Sequence, residues 1–169
     1  GLRQTSYRVA DSLQDQTAPT SQWRGQPMCC RVNDQNAARM GGSAGHAGLF
    51  TTGADLARFA RLWLGEGEFE GRRVLATWVV RTFLAPDPRV PTRYLGWERP
   101  DPDNRDDTAF GRLLSPRAYG HTGWTGTQLW IDPERDLFVV FLTNRSFGPG
   151  MGNSIRQLRG IRGALADVV

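Results

Sequence analysis

Eight consecutive residues, Gly120-His121-Thr122-Gly123-Trp124-Thr125-Gly126-Thr127, place one imidazole, three threonine hydroxyls and three glycines in a single run. Glycine carries no side chain beyond its α-carbon, so another molecule can approach the main chain closely there. The chemistry on offer is stabilisation of an attacked carbonyl. Backbone N–H groups, that of Trp124 above all, can donate to an oxygen as it gains negative charge. Trp124 is therefore one candidate catalytic residue, and His121, whose ring can hold a polar substrate group, is the other. The hydroxyls of Thr122 and Thr125 and the open backbone at Gly123 are candidates for holding a polar substrate group. The same residues also fit an aromatic-flanked β-turn with glycines placed for geometry.

A second candidate is Gly41-Gly42-Ser43-Ala44-Gly45-His46-Ala47-Gly48-Leu49-Phe50, where four glycines surround the other histidine just ahead of a helix start. His46 is a candidate substrate-binding residue, or else the member of a structural turn that bonds a nearby carbonyl. With only these two histidines and the adjacent pair Cys29-Cys30, no HExxH or CxxC spacing exists. No metal site and no cofactor are expected. Adjacent cysteines are poorly placed to bond each other. A serine or cysteine nucleophile paired with a histidine, Ser43 or Cys30 for example, is chemically open, but no spacing selects it.

The elements that must position these residues follow from periodicity. Residues 1–45 read as irregular, with turn formers at Thr17-Ala18-Pro19-Thr20 and Asn33-Asp34-Gln35-Asn36. Thr52 with Asp55 predicts a capping box, and Leu56, Phe59, Ala60 and Trp63 form one apolar stripe ended by Gly65 and Gly67. A second helix is predicted over 77–84, with Val79, Val80, Phe83 and Leu84 inward and Pro86 as the stop. Residues 85–112 read as a surface excursion around a short strand at Tyr94-Leu95-Gly96-Trp97. From Tyr119 the period becomes two: Thr127, Leu129 and Ile131 alternate with Gln128, Trp130 and Asp132. A turn at Pro133-Glu134-Arg135-Asp136 leads to an apolar strand over 137–143, expected to be covered on both faces. After a break at Gly148-Pro149-Gly150, a closing helix carries Leu158, Ile161, Leu165 and Val168 on one side. The expected fold is α+β, an antiparallel sheet flanked by helices. It forms one domain over 1–169, with 1–115 mostly helix and loop, and 116–169 a strand hairpin plus closing helix.

Composition bounds the function. At 169 residues, 39% hydrophobic and 22% charged, the chain is globular and sized for one domain. No apolar run approaches the roughly 20 residues of a membrane span, and no signal-peptide pattern opens the chain. The compartment, periplasmic or cytoplasmic, is left open. The net charge of +4 comes from scattered arginines. Arg156, Arg159 and Arg162 recur at helical spacing and read as a solvated outer face; without aromatic or base-reading company, no nucleic-acid partner is expected. All 21 basic residues are arginine, so the chain contains no lysine. Among the tryptophans, Trp63, Trp78, Trp97 and Trp130 read as core and Trp124 as the exception.

Several segments together resemble the β-lactamase-related serine hydrolases, in the branch of class C enzymes, esterases and D-amino-acid peptidases. Gly1-Leu2-Arg3-Gln4-Thr5-Ser6-Tyr7 resembles the tail of that family's PLGM-x-D-T segment. Ala18-Pro19-Thr20, Trp23-Arg24-Gly25 and Val32-Asn33-Asp34-Gln35-Asn36-Ala37 follow in the family's order, with Asn33 where a histidine is common. Gly45-His46-Ala47-Gly48-Leu49-Phe50-Thr51-Thr52 with Asp55-Leu56-Ala57-Arg58-Phe59 matches its loop-plus-helix signature. The His121-Thr122-Gly123 strand, Ile131-Asp132-Pro133-Glu134-Arg135 and Leu142-Thr143-Asn144 complete the run. The resemblance implies part of the β-lactamase/transpeptidase-like fold, its carboxyl-terminal portion. It further implies a hydrolase acting on a small ester, amide or β-lactam substrate, with Trp124 as the oxyanion amide. Complete members use a Ser-x-x-Lys nucleophile and a Tyr-x-Asn tyrosine. Here no serine precedes a lysine, and Tyr7, Tyr94 and Tyr119 are followed two places on by Val9, Gly96 and His121. The expectation is that nucleophile and base lie in an amino-terminal half before Gly1, and that an unpaired sheet edge favours self-association. A hydrolase using a different nucleophile or a metal, and a non-catalytic binding module, are the rivals.

Overall fold

The computed structural model describes residues 1–104, 108–147 and 155–169. The break expected at Gly148-Pro149-Gly150 lies outside the described residues. The amino-terminal arm is more regular than its composition implied. A 3-10 turn at Asp11–Gln16 precedes the hairpin β1 (Ser21–Trp23) and β2 (Gln26–Met28), then the short helix α1 (Gln35–Arg39). The hairpin closes over two residues, Arg24 and Gly25, both at positive φ (50° and 78°). That mirror-image turn matches the twist of the flanking strands, but arginine is a poor signal for it.

Helix α2 (Gly53–Leu64) follows. The Thr52 hydroxyl accepts from the Asp55 amide, giving half of the expected capping box. The Asp55 carboxylate does not complete the box. It accepts instead from the amides of Arg3 and Gln4 and the hydroxyl of Thr5, tying the start of the chain to the helix. The small hairpin β3 (Glu68–Phe69) and β4 (Arg72–Arg73) leads to α3 (Thr77–Phe83). There Val80 is buried, while Phe83 and Trp78 are largely exposed, contrary to the inward and core placements expected of them. Seven residues give α3 only two turns, and Val80 with Leu84 suffices to dock it.

A five-stranded antiparallel sheet runs in chain order: β5 (Arg93–Tyr94), β6 (Trp97–Glu98), β7 (Tyr119–Thr122), β8 (Gln128–Asp132) and β9 (Leu137–Phe141). The single strand expected near Trp97 is thus a hairpin at the sheet edge. Helix α4 (Ile155–Val168) closes the chain. On one face Leu129, Ile131 and Tyr119 pack with Ala60, Trp63, Val80 and Trp97. On the other, Trp130 stacks on Phe110 at 4.2 Å and joins Leu114, Ala118 and Ala166 of α4. β8 is therefore buried along its whole length, each large side chain there contributing about 1.5–3 kcal/mol of transfer free energy. β9, expected to be covered on both faces, is only half-buried because it is the edge strand.

The phase of α4 differs from the expected one. Leu158, Arg162 and Ala166 face the sheet, whereas Ile161 and Val168 are exposed. Arg162 thus leaves the solvated stripe assigned to it and enters the interior, because a polar loop end lies where an apolar contact would otherwise be.

Candidate active site

β7 delivers His121 and Thr122 to one end of the sheet, and the loop 123–127 turns the chain back into β8. Gly120 is fixed by packing. A side chain there would run into the Leu129 carbonyl and the Trp130 ring. His121 is exposed, and its Nδ1 lies 2.9 Å from the Thr122 carbonyl oxygen. A carbonyl only accepts, so Nδ1 carries the proton in this bond and Nε2 is left for another molecule.

The loop 123–127 has an unusual division of its polar groups. Each of its five carbonyls accepts a hydrogen bond. Gly123 O takes the Gly126 amide and Arg162 Nη2, at 3.1 and 2.9 Å. Thr127 O takes the Gly123 amide and the same Arg162 nitrogen, at 2.7 and 2.9 Å. Trp124 O takes Arg145 Nε, Thr125 O takes the Arg145 amide, and Gly126 O takes the Thr143 hydroxyl. The amides of Trp124 and Thr125 have no partner among the described residues. The loop therefore presents free donors beside an exposed imidazole, while two guanidinium groups polarise its carbonyls from behind. Such an arrangement suits an oxygen that gains negative charge. The Trp124 ring is 67% exposed, with the Arg145 guanidinium 4.1 Å above it, a cation–π contact that orders the indole on the surface.

Burial in the aromatic cluster pushes the Tyr119 phenol well above its ordinary pKa. It stays protonated and cannot serve as a base for the adjacent loop.

His46 lies elsewhere in the hydrogen-bond network. Its Nε2 is 3.0 Å from Asp34 Oδ1, and the same oxygen accepts the Ala37 amide as the cap of α1. The Ala37 N–H first, and His46 second, hold the Asp34 carboxyl below the usual carboxylate range. A reciprocal Ala44–Ala47 bridge and the Tyr7 hydroxyl on Ala44 O pin the loop. Among the described residues no hydrogen bond or ion pair joins the segment 41–50 to residues 120–127. Neither Ser43 nor Cys30 bonds a histidine there, and no three His, Cys, Asp or Glu side chains gather as metal ligands. No described helix is long and apolar enough to cross a membrane.

Sequence reasoning missed Arg145 and Arg162. Arg162 stands four residues after Leu158 and four before Ala166, a spacing that places it on their buried face. Arg145 carried no periodic signal.

Comparison with known proteins places this geometry in context. The family model described as Beta-lactamase matches residues 1–163. A protein of Salmonella gallinarum named “Putative D-alanyl-D-alanine carboxypeptidase” is 38% identical over 120 residues, covering 70% of this chain and 28% of that protein. The N-acetylmuramyl-L-alanine amidase of Bacillus subtilis is 38% identical over 119 residues, covering 70% and 27%. The aligned part is thus little more than a quarter of the length of these curated relatives. A β-lactamase crystal structure from Mycobacterium bovis superposes with a TM-score of 0.55 at 29% identity, over 73% of this chain and 44% of that one. A penicillin-binding protein homologue from Caulobacter crescentus gives 0.58 at 21% identity over 98% and 48%, a likeness of fold alone.

Proposed function

The chain belongs to the β-lactamase family, and from that premise we propose that it serves serine acyl transfer, the hydrolysis of an ester, amide or β-lactam bond in a small substrate. The observation that carries this reading is the loop 123–127, whose carbonyls are all engaged while, among the described residues, the Trp124 and Thr125 amides have no partner beside His121. In the proposed reaction a serine hydroxyl of a further portion of polypeptide passes its proton to the base there as its oxygen bonds to the substrate carbonyl carbon, and the carbonyl π pair moves onto oxygen. The Trp124 N–H stabilises that oxygen. Return of the pair breaks the ester or amide bond, the leaving group takes the proton, and water then releases the acyl group from serine. Thr122, Gly123 and Thr125 align the substrate along β7, and His121 Nε2 contacts its polar end. His46 keeps only Nδ1 and a ring face for substrate, because Asp34 occupies Nε2.

The 169 residues contain neither Ser-x-x-Lys nor Tyr-x-Asn. Donors to an oxyanion without nucleophile and base leave only a remnant of catalysis, about 10³–10⁴-fold over water in a dissected serine protease. The proposed arrangement therefore takes nucleophile and base from a further portion of polypeptide. The relatives' names favour a cell-wall peptide with a D-alanine end as the substrate to try first. The test is to mix this chain with a separately produced family portion bearing Ser-x-x-Lys, and to follow p-nitrophenyl ester and nitrocefin hydrolysis. Turnover is expected only with both present. Two folded, associated portions that show no gain over either alone would overturn the proposal.

A second reading has one observation behind it, the absence of lysine. A binding module that retains the loop would hold a β-lactam or D-alanyl peptide in calorimetry without forming product.

A further inference from the structure

Arg162 is 3% exposed and forms no ion pair among the described residues. One nitrogen, Nη2, donates to both Gly123 O and Thr127 O. A charged side chain taken out of water and satisfied mainly by carbonyls is costly, and burial lowers the guanidinium's pKa accordingly. A leucine at this position would extend the apolar contact of Leu158 and Ala166 without that cost. The placement calls for a reason beyond packing.

The reason lies in the covalent geometry of the peptide unit. Gly123 C=O and Trp124 N–H belong to one plane, and every described peptide is trans. In a trans unit the carbonyl and the N–H point in opposite directions. A donor that fixes Gly123 O on the α4 side therefore aims the Trp124 N–H away from α4. The cation also pulls electron density onto that oxygen, which makes the attached N–H a stronger donor. Arg145 acts likewise one unit on. Its Nε on Trp124 O orients the Thr125 N–H.

We propose that Arg162 is a positioning residue for the oxyanion site, a buried cation in α4 that sets the direction and donor strength of the Trp124 amide. Its catalytic consequence rests on the acyl-transfer reading; its geometric content does not. The closing helix thereby becomes part of the site although none of its side chains need touch substrate.

The experiment compares Arg162→Met, Arg162→Lys and, on the exposed face of the same helix, Arg159→Met in the whole chain. Amide nitrogen and proton shifts and hydrogen exchange are read at Trp124, with Leu129 and Ile131 as reporters of the strand. Arg162→Met is expected to shift the Trp124 resonance and speed its exchange while Leu129 and Ile131 hold. Arg162→Lys, which keeps charge but loses the fork, falls between, and Arg159→Met is silent. In the complemented enzyme, Arg162→Met is expected to lower kcat about ten- to hundredfold with KM within about threefold, as misaimed donors do. An unmoved Trp124 signal overturns the proposal. So does a change at Leu129 and Ile131 as large as that at Trp124, which would make Arg162 a core residue only. If Arg162→Met does not fold, Arg162→Lys carries the same comparison. Absence of turnover in the complemented wild type would remove the acyl-transfer reading, while the Trp124 signal still decides the role of Arg162.

Discussion

The two glycine-rich segments that each hold one of the chain's histidines look alike as strings and differ as structures. In the segment 41–50 the imidazole is tied to a carboxylate, Asp34, which also caps a helix. In residues 120–127 the imidazole is tied, among the described residues, only to the carbonyl of the next residue, which leaves its second nitrogen without a partner there. The first arrangement uses the histidine to hold the fold; the second spends carbonyls on structure and keeps donors in reserve. Glycines around a histidine therefore do not mark a site by themselves. What separates the two segments is the accounting of their backbone donors and acceptors.

Exchanging alanine for each histidine sharpens that contrast most. In the complemented enzyme His121→Ala is expected to lower ester hydrolysis about ten- to hundredfold, the scale of one lost hydrogen bond to a polar or charged substrate group. His46→Ala is expected to change it by no more than about threefold. Equal losses at the two positions would break the distinction. Glycines provide the next largest effect, read as the urea midpoint. Gly120→Ala drives a methyl group into Leu129 O and Trp130 and is expected to cost about 1–3 kcal/mol by overpacking. Gly45→Ala meets nothing within 4 Å and lies outside the positive-φ positions, so a change within about 0.5 kcal/mol is expected.

Helices α2 and α4 show which parts of this arrangement could be read from the sequence. For α2 the cap at Thr52, the stripe through Ala60 and Trp63 and the stop at Gly65 were all visible, because local rules and burial agreed. For α4 the apolar residues Ile161 and Val168 suggested one face, and the molecule uses another. The face that α4 turns inward carries Arg162, whose partners Gly123 O and Thr127 O lie 39 and 35 residues away. The i, i+4 spacing with Leu158 and Ala166 was visible, but the distant carbonyls that receive an arginine there were not. The same holds for the second function of Asp55, whose partners Arg3, Gln4 and Thr5 are 50 to 52 residues distant. The strand β7 and its glycines were legible since close approach demands glycine whatever the partner. The Arg24-Gly25 hairpin was not, since arginine at positive φ is a tolerated rather than a preferred choice.

Acid separates the two segments by a smaller effect. Asp34 is held below the ordinary carboxylate range by the Ala37 N–H and by His46. A depressed folded-state pKa stabilises above the unfolded value, about 3.9 for aspartate, and that contribution is lost as pH falls through the folded value. Asp55, lowered by the Gln4 amide and the Thr5 hydroxyl, responds in the same direction. Among the described residues the bonds that hold the loop 123–127 come from arginines, a threonine and backbone amides, and none of them involves a carboxylate. Lowering the pH from about 5 to about 3 is therefore expected to speed amide exchange, corrected for its intrinsic pH dependence, at Ala37. Gly123 and Gly126 should keep their protection. Asp34→Asn retains a side-chain oxygen for the cap but has no charge to lose, so in that variant the acid response at Ala37 should be absent. Loss of protection at Gly123 in the same window would show that a carboxylate supports the loop after all, and would erase the difference between the two histidine segments.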